Sequence, residues 1–300
     1  MFGASAAPGP QIRRARELAE ALIAGSAGGR QVSVLPEAHE VAREVLGSDI
    51  EYRDGLLLLR PGGHRALPAL PAGYGFKGGA ARFCLDEVTG RPANGPRDID
   101  VVRFGTGWTP TDTAVSRAVM PEDFERGWGV EVCSSPAHYW RSRDLSINEV
   151  LVMEGVLSVS LVGLLDRIGC VLRPCRYRGG SLHRHPSLAG GTAAKMLRLR
   201  AEGLAVGEEW VVGGIPEDQE VEVFHLALQL DKAFARSEQV ARLFVEQCSR
   251  AGLLPREPAL PGGDLFDECV REVVGSVYGG AEFFRNLPGV FRETGESFAK

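Results

Sequence analysis

Apolar and polar residues alternate in short runs through the first half of the chain and recur at helical spacing through the second. After a small, Pro/Gly-rich stretch at residues 1–9 that reads as an unstructured arm, Leu18, Ala21 and Leu22 share one face of a helix over residues 11–24. Residues 31–60 are mixed and end in a leucine run, 56–59, that reads as a strand; residues 61–75 are a loop by their prolines and glycines. Ala81, Cys84, Leu85 and Val88 fall at i, i+3, i+4 and i+7, which predicts a helix opened by Gly78-Gly79 and closed by Gly90. Ile99 and Val101, then Val130 and Val132, alternate with polar neighbours and predict two short strands. Residues 173–191 read as a second loop, and helices are predicted over 194–204, 220–236, 238–251 and 264–277. The layout is α+β: an arm and helix over residues 1–30, a mixed domain over 31–165 and a mostly helical part over 166–300.

Composition changes this picture little. A chain of 300 residues with 44% hydrophobic content has the make-up of an ordinary globular protein of one or two domains. The longest apolar stretch, 150–165, is interrupted by Glu154, and the start of the chain lacks a basic segment followed by an apolar one. No membrane association is expected, and a cytoplasmic location follows by default. The six cysteines form no C-x-x-C pair and read as idle thiols. The net charge of -5 opposes a chain built to coat nucleic acid. Residues 167–201, however, hold seven arginines and Lys195 with no Asp or Glu, a net +8 that marks a local anion-binding surface or a solvated arm.

The chemistry concentrates around a glycine turn and a pair of aspartates. In a strand, Asp98 and Asp100 share one face while Ile99 and Val101 face the core. Adjacent carboxylates repel unless a cation lies between them, and hard oxygen ligands that leave room for water and phosphate suit Mg²⁺. Gly78 and Gly79 let the backbone approach a phosphate, with Arg82 in the first turn of the helix to reach a triphosphate. A third carboxylate completes a two-metal site, and Glu131 is the leading candidate, with Asp112, Glu122 and Asp123 as substitutes. Ser146-x-x-Glu149 reads as a capping box, whereas Arg143 and Asn148 lie off the cap and fit ligand binding.

Gly78-Gly79-Ala80-Ala81-Arg82 with Asp98-Ile99-Asp100 resembles the signature of the polymerase β-type nucleotidyltransferases, in the branch holding bacterial CCA-adding enzymes and poly(A) polymerases. Arg143-Asp144-Leu145-Ser146-Ile147-Asn148 resembles that family's R-D-F-T-I-N motif, Gly163-Leu164-Leu165-Asp166 its next segment, and Lys195-Met196-Leu197-Arg198 the start of its neck helix. The resemblance spans about residues 75–205. It implies a mixed-sheet nucleotidyltransferase head over 31–165 followed by a helical neck and body. It also implies nucleotide contacts from Gly78, Gly79, Arg82, Arg143, Asp144, Asn148, Lys195 and Arg198, the last two on a face of the neck helix apart from its buried stripe of Ala194, Leu197, Ala201 and Leu204. Two departures stand out. Phe83 follows the turn arginine where the family has aspartate, and Gly191-Thr192-Ala193-Ala194-Lys195 replaces its nucleotide-selecting E-D-x-x-R.

The reading is a Mg²⁺-dependent transfer of a nucleotide from an NTP to an acceptor hydroxyl, with Asp98, Asp100 and Glu131 as metal ligands. An RNA 3′ end bound through residues 167–201 is the first acceptor class. A small-molecule or protein acceptor, or a non-catalytic NTP- or RNA-binding relative, are the alternatives. Which nucleotide is moved, and the oligomeric state, are left open.

Overall fold

The structure, a computed structural model, describes residues 43, 50–53, 56–60, 67–91, 95–96, 99–119, 129–172, 175, 186–206, 222–277 and 284–291. The expected arm and first helix, Asp98, Glu122 and Asp123 lie outside the described residues. The chain divides into two compact units, 1–178 and 179–300, so residues 166–178, assigned from sequence to the helical half, fall in the first.

The first unit is built on a mixed sheet of β1 (Glu51–Arg53), β2 (Leu56–Leu59), β3 (Tyr74–Phe76), β4 (Val101–Phe104), β5 (Val130–Cys133), β6 (Val150–Met153) and β7 (Val156–Val159). Their order is β1-β2-β7-β6-β3-β4-β5. Neighbours run antiparallel except β4 and β5, which are parallel with Val102 opposite Glu131. The helices are α1 (Gly78–Val88), α2 (Pro110–Val119), α3 (Pro136–Arg141) and α4 (Leu161–Ile168), with a single 3₁₀ turn at Ser146–Asn148 and a two-residue strand β8 (Val171–Leu172).

The two faces of the sheet have different partners. On one, Leu57, Val101, Val150 and Leu157 pack against Ala80, Ala81, Cys84 and Leu85 of α1 and Leu161, Leu164 and Leu165 of α4. Each fully buried Leu or Val here contributes about 1.5–3 kcal/mol of transfer free energy. On the other, Val102, Cys133 and Leu151 meet Tyr139 of α3, with Phe104, Trp140 and Met153 at the margin. The predicted stripe of α1 is the buried one. The turn at Gly90 follows it with φ +67, a left-handed value that glycine adopts without strain.

Two stretches read as loop are regular structure. Gly75 lies within β3, where an added Cβ would stand 2.8 Å from the Val152 carbonyl oxygen; glycine here permits close strand approach. In the second unit, α5 runs Pro186–Ala201, beginning eight residues before the predicted 194. Its Gly191 packs on the His225 ring, 3.1 Å from where a Cβ would lie, so a small residue is set by packing despite its poor helix propensity. The remaining helices α6 (Val223–Phe234), α7 (Glu238–Arg250) and α8 (Leu265–Gly275) fall within the predicted spans; the short strand β9 (Ala205–Val206) lies between α5 and α6. Ala194 and Leu197 of α5, Leu230 of α6, Phe244 of α7 and Val270 of α8 share one core.

The architecture is thus α+β: a mixed sheet with helices, then a helical unit. None of the six cysteines forms a disulfide, and burial pushes the Cys84 thiol up to about 12, which keeps it protonated and unreactive. No helix among the described residues is long and apolar enough to cross a membrane.

Candidate functional site

The turn between β3 and α1 is fastened to the start of β4. Lys77 is extended, its amide donates to the Asp100 carbonyl at 3.0 Å, and the chain then turns through Gly78 at φ +55 into the helix. Gly78 has no room for a side chain: an ideal Cβ would lie 2.7 Å from Asp100 Oδ2. The glycine therefore serves both the left-handed turn and the seat of the Asp100 carboxylate. That carboxylate, half-buried, forms no hydrogen bond or ion pair with any described residue. For a carboxylate tucked into a turn this is an unbalanced charge.

Replacing Gly78 with alanine is expected to cost about 1–2 kcal/mol in backbone strain and to push Asp100 aside. Thermal melting should fall by a few degrees, and Mn²⁺ affinity, followed by paramagnetic relaxation of water, by about tenfold or more. Unchanged Mn²⁺ affinity in G78A would show that the glycine does not shape a cation site.

Glu131 is the opposite case. Its Oε2 accepts from Lys77 Nζ at 2.6 Å and its Oε1 from Arg143 Nη2 at 2.8 Å and Cys133 Sγ at 3.3 Å. Burial opposes ionisation of this carboxyl, but Lys77 and Arg143 outweigh it and hold Glu131 at about 2. Arg143 is itself buried: Nε donates to the Tyr139 carbonyl at 3.0 Å, Nη2 to Ser142 Oγ at 2.7 Å, and the guanidinium sits 4.0 Å from the Tyr139 ring centre. Expected as a third metal ligand, Glu131 is instead embraced by two cations.

The R-D-L-S-I-N segment closes on the first turn of α1. Arg82 Nη1 donates to Asn148 Oδ1, and Asn148 Nδ2 donates to Asp144 Oδ1 at 2.6 Å, which also takes the Leu145 amide at 2.8 Å. Three residues singled out from distant sequence positions thus form one chain of hydrogen bonds. The expected capping box is absent, because no α-helix follows Ser146. Only a 3₁₀ turn does, with Leu145 as its cap. Ser146 Oγ donates to Asp166 Oδ2 at 2.6 Å in the interior, and Glu149 takes Ser160 Oγ at 2.5 Å in a partly buried place.

Asp112, held as a substitute third ligand, is fully buried and fully engaged. It accepts from Tyr74 Oη at 2.7 Å, Arg103 Nε at 2.6 Å and Thr109 Oγ1 at 2.7 Å, so it has no vacant oxygen to offer a metal. Among the described residues no three His, Cys, Asp or Glu side chains gather at metal-binding range.

The basic segment is less open than its composition implies. Arg167 Nε donates to Asp86 Oδ1 at 2.7 Å inside the first unit. In the helical unit Arg198 is 3% exposed, gives Nε to Gln229 Oε1 at 2.7 Å and pairs with Glu202. It therefore packs between helices and does not share an open face with the half-buried Lys195, contrary to expectation. Arg200 is exposed, and Arg173, Arg176, Arg178 and Arg184 lie outside the described residues.

Lys77 escaped the sequence reading. Its signal was a cation directly before two glycines at a helix start, where charge does not help the helix. Compared with protein-family models, curated proteins and solved structures, the chain gives no significant match. The protein is thus α+β, with the Asp100 carboxylate, unpaired among the described residues, set against a glycine turn at the start of a strand of its mixed sheet.

Proposed function

We propose that the first unit is a nucleotidyltransferase head that moves a nucleotide from an NTP to an acceptor hydroxyl. The observation that carries this is the Asp100 carboxylate, left without a partner among the described residues in a half-buried seat shaped by Gly78. Such a carboxylate fits a divalent cation, and Asp98, two residues before it, supplies a second oxygen donor of the same hardness. Mg²⁺ held there supplies charge neutralisation of the phosphates and of the developing leaving group.

The chain's own residues do the positioning. The Gly78-Gly79 turn brings backbone to the phosphates, while Arg82, held by Asn148 and Asp144, stands at the first turn of α1. The acceptor oxygen bonds to the α-phosphorus as the bond from that phosphorus to the bridging oxygen of the β-phosphate breaks. Pyrophosphate leaves, and the hydroxyl proton passes to solvent.

An RNA 3′ end is the first acceptor, in keeping with the resemblance and the basic composition of residues 167–201. A small molecule or protein is the second, favoured by the internal engagement of Arg167 and Arg198, which removes two cations from any backbone-tracking surface. The test is incubation with each of the four α-labelled NTPs, total RNA and Mg²⁺. Label on RNA with pyrophosphate release is expected; label on protein or in the small-molecule fraction selects the second acceptor. NTP binding without pyrophosphate release for any of the four marks a non-catalytic relative and contradicts the proposal.

A further inference from the structure

Two cations and one carboxylate meet beside Asp100. Lys77 Nζ and Arg143 Nη2 both donate to Glu131, at 2.6 Å and 2.8 Å, and the Lys77 amide is tied to Asp100 at 3.0 Å. Both cations converge on one glutamate in a largely buried place, their side chains being 20%, 30% and 10% exposed for Lys77, Glu131 and Arg143. An ammonium has three donors, and Glu131 takes one from Lys77, leaving two for another anion. Arg143 spends Nε on Tyr139 and Nη2 on Glu131 and Ser142, while Nη1 makes no hydrogen bond to a described residue. Both oxygens of Glu131, in contrast, are occupied, and a metal ion arriving there would face two cations at hydrogen-bond distance.

We propose that Glu131 is an anchor and not a metal ligand: it holds Lys77 and Arg143 in place, and Lys77 contacts the polyphosphate of the substrate. This rests on the nucleotidyltransferase reading of the same site. Lys77 lies at the mouth of the Gly78-Gly79 turn, so its free N–H groups and the backbone of that turn address one anion together. Glu131 fixes the lysine's long side chain beforehand and so removes rotamer freedom that binding would otherwise cost. Under this assignment cation binding depends on the aspartates, and polyphosphate binding on Lys77 and its anchor.

The experiment measures two affinities in each of five chains: wild type, K77Q, K77R, E131Q and D100N. Inorganic tripolyphosphate is titrated calorimetrically in EDTA, and Mn²⁺ alone is titrated by water relaxation. K77Q and E131Q are expected to weaken tripolyphosphate by about tenfold or more while holding Mn²⁺ within about twofold of wild type. D100N is expected to lose Mn²⁺ and to keep or tighten tripolyphosphate. K77R, which retains the charge, is expected to recover part of the loss, and circular dichroism confirms that each chain is folded. Loss of Mn²⁺ binding in E131Q, or unchanged tripolyphosphate affinity in K77Q, overturns the inference and leaves the nucleotidyltransferase reading standing. A wild-type chain that binds neither probe overturns both.

Discussion

Exchanging Asp100 for asparagine is expected to abolish nucleotide transfer and leave the fold intact. The substitution keeps shape and removes the charge that a cation needs. Loss of metal stabilisation worth about 4 kcal/mol lowers the rate about a thousandfold, and D98N should behave alike. Because the Asp100 side chain makes no hydrogen bond or ion pair with the described residues, the melting temperature of D100N should stay within about 2 °C of wild type. Assay of labelled nucleotide transfer beside a thermal melt checks both halves. Retained transfer in D98N and D100N would remove the aspartates from the chemistry, while a large drop in melting temperature would make Asp100 a structural residue.

Asp112 should show the reverse pattern. Asp112→Ala removes the acceptor of Tyr74, Arg103 and Thr109 at a position with no exposure, stranding the Arg103 guanidinium beside it. Breaking a buried pair in this way costs about 3–5 kcal/mol, which for a unit of this size lowers melting by about 10 °C. Burial raises the Asp112 carboxyl, but Arg103, Tyr74 and Thr109 overcome it and hold the group well below the usual carboxylate range. Its stabilising effect is thus complete above the unfolded value of about 3.9 and fades as pH falls below it. Melts of wild type and D112A at pH 7 and at decreasing pH check this: the difference should shrink in acid. A melting temperature equal to wild type at pH 7 would contradict the structural role.

The helices of the second unit were legible because each buries one periodic face, as in the α7 run through Val240, Ala241, Phe244 and Cys248. The turn at Gly78 and the Asp100 carboxylate against it were legible for a different reason: residue types poor at building a core stood where a core pattern surrounded them. What failed to show was tertiary. Gly191 and Gly75 look like loop residues until His225 and the Val152 carbonyl are seen against them. Ser146 and Glu149 have the spacing of a helix cap, yet Asp166 and Ser160, distant in sequence, take their side chains instead. Glu131 has the alternation of an outward strand residue, and nothing local says that Lys77 and Arg143 converge on it. The chain of Arg82, Asn148 and Asp144 likewise joins positions whose partnership only folding reveals.

The most direct measurement is a crystal structure with Mn²⁺ and a non-hydrolysable NTP analogue, read by anomalous scattering. The account predicts a Mn²⁺ peak on the carboxylates of Asp98 and Asp100, with the triphosphate along the Gly78-Gly79 turn and Lys77. Analogue and metal bound elsewhere, with Asp100 still bare, would contradict it.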